Sequence, residues 1–160
     1  MKPLAIFLVL LVIAALVGVG WLWYSSNLTA VCTGVVATDP VTQEAAFKEL
    51  KSSVESGSFV GTLCSKAPLT EPEDYIFYTW TVHLDNKTFL PANVIEVQIT
   101  PMGGDILIIG DPVEHTLEAR SETDISVTML TSRDKHSVRE AIVTWYVWGL
   151  PFSSRITLGK

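Results

Sequence analysis

A stretch of nineteen residues without a charged or strongly polar side chain, residues 4–22, constrains this 160-residue chain more than any other feature. As an α-helix rising about 1.5 Å per residue, it would span roughly 28 Å, close to the thickness of the hydrocarbon core of a bilayer. Trp21, Trp23 and Tyr24 lie at its end, where an interfacial aromatic belt is expected. The sequence therefore predicts a transmembrane anchor over residues 1–24 that contacts the lipid bilayer through residues 4–22.

The charges around this stretch predict its orientation. Lys2 is the one basic side chain before it, and the next basic side chain is Lys48. Because positive charge stays on the cytoplasmic side, we expect a single-pass protein of the cell membrane with a cytoplasmic N-terminus and residues 25–160 outside. The alternative is a cleaved secretory signal with Gly18-Val19-Gly20 as its small-x-small cleavage site. Both interpretations export the rest of the chain.

Composition separates the anchor from one globular domain. Hydrophobic residues make up 20 of the first 24 residues but 57 of the remaining 136, which is an ordinary share for a folded domain. The exported part carries 10 basic and 17 acidic side chains. A surface of that sign is repelled by phosphate backbones and by anionic lipid headgroups, so we expect no nucleic-acid partner.

One amphipathic helix is predicted at about residues 40–56. Asp39-Pro40 offers an N-cap residue followed by proline at the first helical position, and Gly57 is suited to the position after the helix end. Apolar side chains recur at helical spacing on one face, which we expect to pack against the rest of the domain. These side chains are Phe47, Leu50 and Val54.

The remainder of the domain alternates between apolar and polar residues with a period of two, which is typical of β-strands. About eight short strands are predicted, within residues 28–38, 76–84, 95–100, 106–109, 125–129, 142–148 and 156–158 and the segments between them. Pro101-Met102-Gly103-Gly104 predicts a hairpin between two of them. Because several strands are apolar on both faces, we predict a mainly β fold: an immunoglobulin-like β-sandwich with one inserted helix.

The order of elements resembles a known family. Leu84-Asp85-Asn86 closes one strand, Leu117-Glu118-Ala119 leads towards another, and Tyr146-Val147-Trp148-Gly149 begins the last hairpin. This order is similar to that of the LEA14-like water-stress (WHy) domains, which are small immunoglobulin-like sandwiches. Lys87 stands where the family's N-P-N turn has proline, and the proline of its leu-pro-ala step is absent here.

The segment from Tyr146 to Phe152, Tyr-x-Trp-Gly-x-Pro-Phe, also resembles the ending of small membrane-anchored proteins of gut-type Firmicutes. Together the two resemblances imply an immunoglobulin-like fold and a structural, stress-protective or interaction role. They carry no catalytic residue over to this chain.

Trp145, Trp148 and Phe152 are the candidate binding residues. Tyr146 and Trp148 point to one face of the predicted strand and Trp145 to the other, so one ring is exposed if a single face is buried. An exposed aromatic patch would contact an envelope protein or a cell-surface component. The alternative is that the core, the helix or the opposite sheet covers all the rings.

Asp111, Glu114 and His115 form the densest polar cluster and are the candidate ligands for a divalent cation. The regular calcium-loop spacing is absent, and a solvated turn is the alternative. G-x-S-x-G, H-E-x-x-H and P-loop patterns are also absent from the sequence. We therefore expect no cofactor and a non-enzymatic protein that acts by binding. The alternatives are a stress-protective accessory domain and a small metal- or thiol-dependent enzyme.

Cys32 and Cys64 are the two cysteines of the chain. In an oxidising compartment such a pair can form a disulfide, and the alternative is two free thiols. Asn27 and Asn86 each begin a glycosylation sequon, which would be used only in a eukaryotic secretory pathway.

Overall fold

A computed structural model of the chain describes residues 2–25, 28–110 and 114–159. Within these residues, an N-terminal helix α1 (Lys2–Ser25) precedes a mainly β domain that contains one further α-helix, α2 (Glu44–Ser56). The strands in the described part of the chain are β1 (Leu28–Thr38), β2 (Thr62–Leu63), β3 (Tyr75–Asn86), β4 (Ala92–Ile99), β5 (Asp105–Ile109), β6 (His115–Leu117), β7 (Glu122–Ser132), β8 (Arg139–Val147) and β9 (Leu150–Leu158).

Helix α1 is long and apolar enough to cross a membrane. Its candidate span, Pro3–Trp21, has nineteen residues and a mean hydropathy of 2.8, and none of it is buried against the domain. A helix that is hydrophobic on all sides fits an apolar environment such as a bilayer. Its length and composition agree with the predicted membrane anchor and equally with the alternative of a secretory signal.

The strands form two antiparallel sheets that share one core. The five-stranded sheet has the order β1-β3-β7-β5-β2, and the four-stranded sheet has the order β6-β4-β8-β9. The inward side chains of both sheets belong to one buried cluster, to which Trp80 and Val127 contribute from one sheet and Val143 and Trp145 from the other. The prediction of a mainly β domain is confirmed, and its strands form two antiparallel sheets.

The predicted helix is confirmed, with a tighter first turn than expected. Pro40–Gln43 form a 3-10 turn before α2, and the Val41 amide donates to Asp39 Oδ1 at 3.0 Å. Gly57 ends α2 in the left-handed region with a φ of 73°. The side chain of Phe47 is buried and its ring lies 5.9 Å from that of Tyr75, so α2 covers the outer face of the five-stranded sheet at the start of β3.

The predicted hairpin at Pro101–Gly104 is wrong. β4 pairs with β6 and β8, whereas β5 pairs with β2 and β7 in the other sheet. The turn residues reverse the chain as expected, and the Met102 amide donates to Asp105 Oδ2 at 2.7 Å. A turn signal does not specify the partner strand, and here the reversal carries the chain across the core from one sheet to the other. The last hairpin, β8–β9, forms around Trp148 and Gly149 as predicted.

Candidate functional site

The end of the domain next to α1 gathers most of its unusual features. The register places Leu28 opposite Asn86 and Ala92 opposite Leu117, so the start of β1, the end of β3, the start of β4 and the end of β6 lie together. The β8–β9 turn lies at the same end, because Asn93 pairs with Tyr146. We call this end the anchor pole and define it as Leu28 with residues 86–94, 117–122 and 146–150.

The buried side chain of Asn86 organises the anchor pole. Its Nδ2 donates to the carbonyl oxygens of Leu90 at 2.8 Å and Glu118 at 3.0 Å, and lies 3.3 Å from that of Leu117. Its Oδ1 accepts from the Thr88 amide at 3.2 Å. This amide group ties two loops together inside the protein, so a glycan on Nδ2 would be incompatible with these bonds. The other sequon residue, Asn27, lies outside the described residues.

The predicted aromatic patch is divided between the core and the surface. Trp145 is only 3% exposed and its ring stacks on that of Phe152 with 6.1 Å between centroids, so its prediction as a binding residue is wrong. The strand alternation turns it inward with Val143. Phe152 is half-buried and packs against the same core. Trp148 is 71% exposed, which leaves it as the predicted binding residue that a partner can reach.

Trp148 occupies a backbone conformation that is unfavourable for its side chain. Trp148 and Gly149 have φ values of 53° and 78°, as both central residues of a type I′ hairpin turn require, and asparagine or glycine is preferred in such positions. Val94 and Arg120 also have positive φ, and in the described part of the chain these three are the non-glycine residues that do. All three lie at the anchor pole. Strained backbone concentrates at functional sites, so this pole is the first candidate for one.

A second exposed ring at the anchor pole was not predicted from the sequence. Phe89 is 47% exposed, and its ring stacks on that of Trp21 in α1 with 5.1 Å between centroids. It lies in the β3–β4 loop, where no periodic pattern indicates the orientation of a side chain. The only available signal was an apolar residue placed in a loop next to a strand end.

A cleft of about 720 Å³ opens on one flank of the domain, between β2 and β5 at the edge of one sheet and β4 and β6 at the edge of the other. We call it the flank cleft. Its apolar lining includes Ile108, Ile125 and Val127, while Glu96 and Gln98 supply polar groups. A concave surface of this volume, mainly apolar with a few polar groups, has the character of a ligand-binding site.

Two of the predicted metal ligands, Glu114 and His115, also line the flank cleft. Asp111, the third, lies outside the described residues. Among the residues that the structure describes, no group of three or more histidine, cysteine, aspartate or glutamate side chains is arranged to hold a metal ion. The cluster as a whole therefore stays a prediction.

The structure contains free thiols at Cys32 and Cys64, which is the second of the two alternatives that the sequence left open. Cys32 lies in β1 and Cys64 directly follows β2, which are the two opposite edges of the five-stranded sheet. Four strand spacings of about 4.8 Å separate them by roughly 19 Å, far beyond the reach of a disulfide. Burial, and then the charge of Asp105, raise the pKa of the Cys64 thiol, which disfavours the reactive thiolate.

A buried ion pair joins the two sheets at the end opposite the anchor pole. Arg139 Nε and Nη2 donate to the two oxygens of Asp105 at 3.0 and 2.7 Å, and the side chains are 1% and 0% exposed. Burial alone would raise the pKa of Asp105, but the bonds from Arg139, the Met102 amide and Thr131 outweigh it and hold that pKa below its ordinary value. The sequence alone could have indicated one member of this pair. The period of two in β8 places Arg139 on the same face as Ala141 and Val143, so its charged side chain is expected in the core.

The outer face of the five-stranded sheet carries an exposed charged pair. His83 Nδ1 lies 2.8 Å from Asp124 Oδ1 on the neighbouring strand, and Nε2 lies 3.5 Å from Glu122 Oε2. The hydrogen bond to Asp124 is the main reason that the pKa of His83 is raised. This pair stabilises the contact between β3 and β7, and a mechanistic role does not follow from it.

No protein-family model matches the chain, and no curated protein is significantly similar to it. Function must therefore be inferred from three described features: the apolar helix α1, the anchor pole with Trp148 and Phe89, and the flank cleft.

Proposed function

We propose that this protein is a single-pass membrane protein whose extracytoplasmic domain, an immunoglobulin-like β-sandwich, acts by binding a partner. The observation that carries the proposal is the apolar helix α1, no residue of whose candidate span is buried, beside a domain that has a core of its own. The charge distribution around α1 favours a cytoplasmic N-terminus. On this proposal the partner is an envelope protein or a cell-surface component.

The strand order supports the immunoglobulin-like part of the proposal. The neighbours β1-β3-β7-β5 follow the order of strands A, B, E and D of a constant-type immunoglobulin domain, and β4-β8-β9 follow that of C, F and G. β2 and β6 extend the two sheets at their edges. The resemblance to the water-stress domains is compatible with this order, and we retain it as a proposal about the fold.

The state of the buried polar groups supports binding over catalysis. Asn86 and Thr88 are used to fix loops at the anchor pole, and Asp105, Thr131 and Arg139 bond to one another at the opposite end. Catalytic groups, by contrast, must be available to a substrate. We assign the binding of the partner to the flank cleft, since it combines an apolar floor with polar groups.

Membrane anchoring and topology are tested by extraction and proteolysis of the full chain in cells. We expect the native protein to stay in the membrane in alkaline carbonate and to be digested by protease added to spheroplasts. Leu11→Arg places a charge in the middle of α1, at a cost of about 2.5–3.5 kcal/mol for insertion, and should reduce membrane retention. Release of the native protein by carbonate, or its resistance to external protease, would contradict the proposal. The mass of the mature chain distinguishes the two alternatives for α1. An anchored protein keeps residues 1–24, whereas a protein with a cleaved signal has lost the residues before the cleavage site.

The binding role is tested by a photo-crosslinking amino acid placed in living cells. Val60 is exposed at the flank cleft, and Val36 is similarly exposed on the outer face of β1, which makes it the matched control. We expect a discrete adduct from position 60 that is absent from position 36. Gly110 lines the cleft, and a Cβ added to it meets no atom within 4 Å, so the fold can accept Gly110→Leu. The leucine side chain would fill part of the cleft and should prevent the adduct. Gly34 in β1 is equally open, so Gly34→Leu is the control and should leave the adduct unchanged. The same adducts from both positions would refute the assignment.

A further inference from the structure

We infer that the anchor pole itself rests on the bilayer, with the rings of Trp148 and Phe89 in the headgroup region of the membrane that holds α1. This inference rests on the proposed membrane anchoring and adds a second contact with lipid, made by the folded domain. Its partner is a lipid surface, recognised through exposed aromatic rings.

The chain itself keeps the anchor pole close to the membrane. α1 ends at Ser25 and β1 begins at Leu28, three residues later. Even a fully extended chain covers no more than about 11 Å over that distance. Leu28 belongs to the anchor pole, so this end of the domain must lie within the thickness of the interfacial region.

The contact between Phe89 and Trp21 sets the depth of the pole. Trp21 is the last residue of the apolar span, where an interfacial tryptophan is expected. The Phe89 ring stacks on it at 5.1 Å, with an angle of 27° between the planes. The β3–β4 loop therefore lies at the level of the aromatic belt.

Trp148 lies at the same end of the domain, in the other sheet. The turn that contains it leads into β9, which contacts β1, so this turn is at the end of the domain where β1 begins. Positive φ is unfavourable for a tryptophan, and a ring that is 71% exposed adds little buried surface to offset it. At a bilayer interface the same ring is favourable, because tryptophan combines an apolar body with a polar N–H group.

The charges at the anchor pole indicate which lipids this contact needs. Within the pole, Lys87 and Arg120 are accompanied by Glu118 and Glu122, so the two signs cancel there. Anionic headgroups are therefore not required, in agreement with the acidic composition of the domain. The aromatic rings should suffice on zwitterionic phosphatidylcholine.

The test uses the full chain carrying Trp21→Phe and Trp23→Phe, reconstituted into phosphatidylcholine vesicles. Trp80 and Trp145 are buried, so the difference between this protein and the same protein with Trp148→Phe isolates the emission of Trp148. We expect that emission to be quenched by lipid brominated near the headgroup end of its chains and to lose its quenching by aqueous iodide. Met102→Trp in the Trp148→Phe background is the control at the opposite pole, and it should show the reverse pattern.

Two outcomes would overturn the inference in distinguishable ways. If the protein floats with the vesicles but Trp148 is quenched by iodide as strongly as the control ring, the domain does not rest on the bilayer although α1 is inserted. If the protein does not float with the vesicles, the anchoring on which the inference depends fails as well.

Discussion

The buried pair Arg139–Asp105 gives the sharpest prediction for the stability of this domain. Arg139 donates to both carboxylate oxygens of Asp105, and its Nη1 donates to the carbonyl oxygens of His136 at 2.8 Å and Val138 at 2.7 Å. Asp105 also accepts from Thr131. The substitution Arg139→Met keeps much of the side-chain volume and removes every one of the bonds made by Arg139.

The expected loss at neutral pH is about 3–5 kcal/mol, which is typical for the removal of one partner from a buried ion pair. The bonds to a charged group are worth about 1.5–3 kcal/mol each, but the guanidinium loses hydration when it is buried, and methionine does not. The net loss is thus smaller than the sum of the bonds. It is still a large part of the roughly 5–15 kcal/mol that stabilises a typical domain.

The loss should depend on pH with a definite sign. In the native protein the pKa of Asp105 is lowered, so its contribution is present above the unfolded pKa, near 3.9, and disappears as the pH falls through the folded pKa. Without Arg139, burial dominates and the pKa of Asp105 should rise above that of the unfolded chain. Its neutral form is then favoured in the folded state, and stability falls as the pH rises above about 4. The difference between the two proteins should therefore grow from pH 3 to pH 7.

Urea unfolding of the full chain in detergent micelles, followed by tryptophan fluorescence, measures this difference. Trp80 is buried and its Nε1 donates to Ser137 at 3.2 Å, so its emission reports on this region. Arg155→Met, on the exposed face of β9, is the matched control and should change stability by less than about 0.5 kcal/mol. Asp105→Asn combined with Arg139→Met should recover part of the loss at pH 7, because no buried charge is left without a partner. A loss below about 1 kcal/mol, or one independent of pH, would refute the reasoning.

Three further substitutions test other parts of the structure. Phe47→Ala should cost about 3–5 kcal/mol in urea unfolding, because its buried ring fills the space between α2 and Tyr75, and a loss below about 1 kcal/mol would contradict this packing. Asp124→Asn should lower the pKa of His83 in an NMR titration, and an unchanged pKa would be inconsistent with the hydrogen bond. In the native protein the pair stabilises the fold below pH 6.5, and this effect is lost as the pH rises through the folded pKa of His83. Trp148→Asn should stabilise the domain by up to about 1 kcal/mol in detergent, since asparagine tolerates positive φ, and destabilisation would show that the turn is not strained.

The parts of the fold that depend on neighbouring residues could be predicted from the sequence. The N-cap at Asp39 and the left-handed residue Gly57 bound the helix within the predicted limits, and β1 occupies the predicted residues 28–38. Alternation along β3 and β8 correctly separated the two faces of each strand. These signals are local, because capping, turn geometry and strand period act over a few residues.

The errors came from contacts between residues far apart in the chain. Pro101–Gly104 were predicted to join paired strands, but the strands belong to different sheets. A disulfide between Cys32 and Cys64 was one of two alternatives that their number left open, and the sheet order places the two residues at opposite edges. Trp145 was included in an exposed patch, although the alternation placed it on the other face of the strand from Tyr146. In each case composition and spacing left several arrangements open, and only the topology selected one.

The strain and the strongest polar contacts lie at opposite ends of the domain. The end opposite α1 contains the Arg139–Asp105 pair and a second set of bonds. Arg133 Nε donates to the carbonyl oxygen of Glu73 at 2.6 Å, and its Nη2 donates to Asp39 Oδ1 at 2.8 Å. The residues with unfavourable φ all lie at the anchor pole. A strained segment persists only when the surrounding structure determines it, and here the shared core and the Asn86 network do so. The rings of Trp148 and Phe89 can therefore stay exposed at the anchor pole while the core and the Asn86 network stabilise that end of the domain.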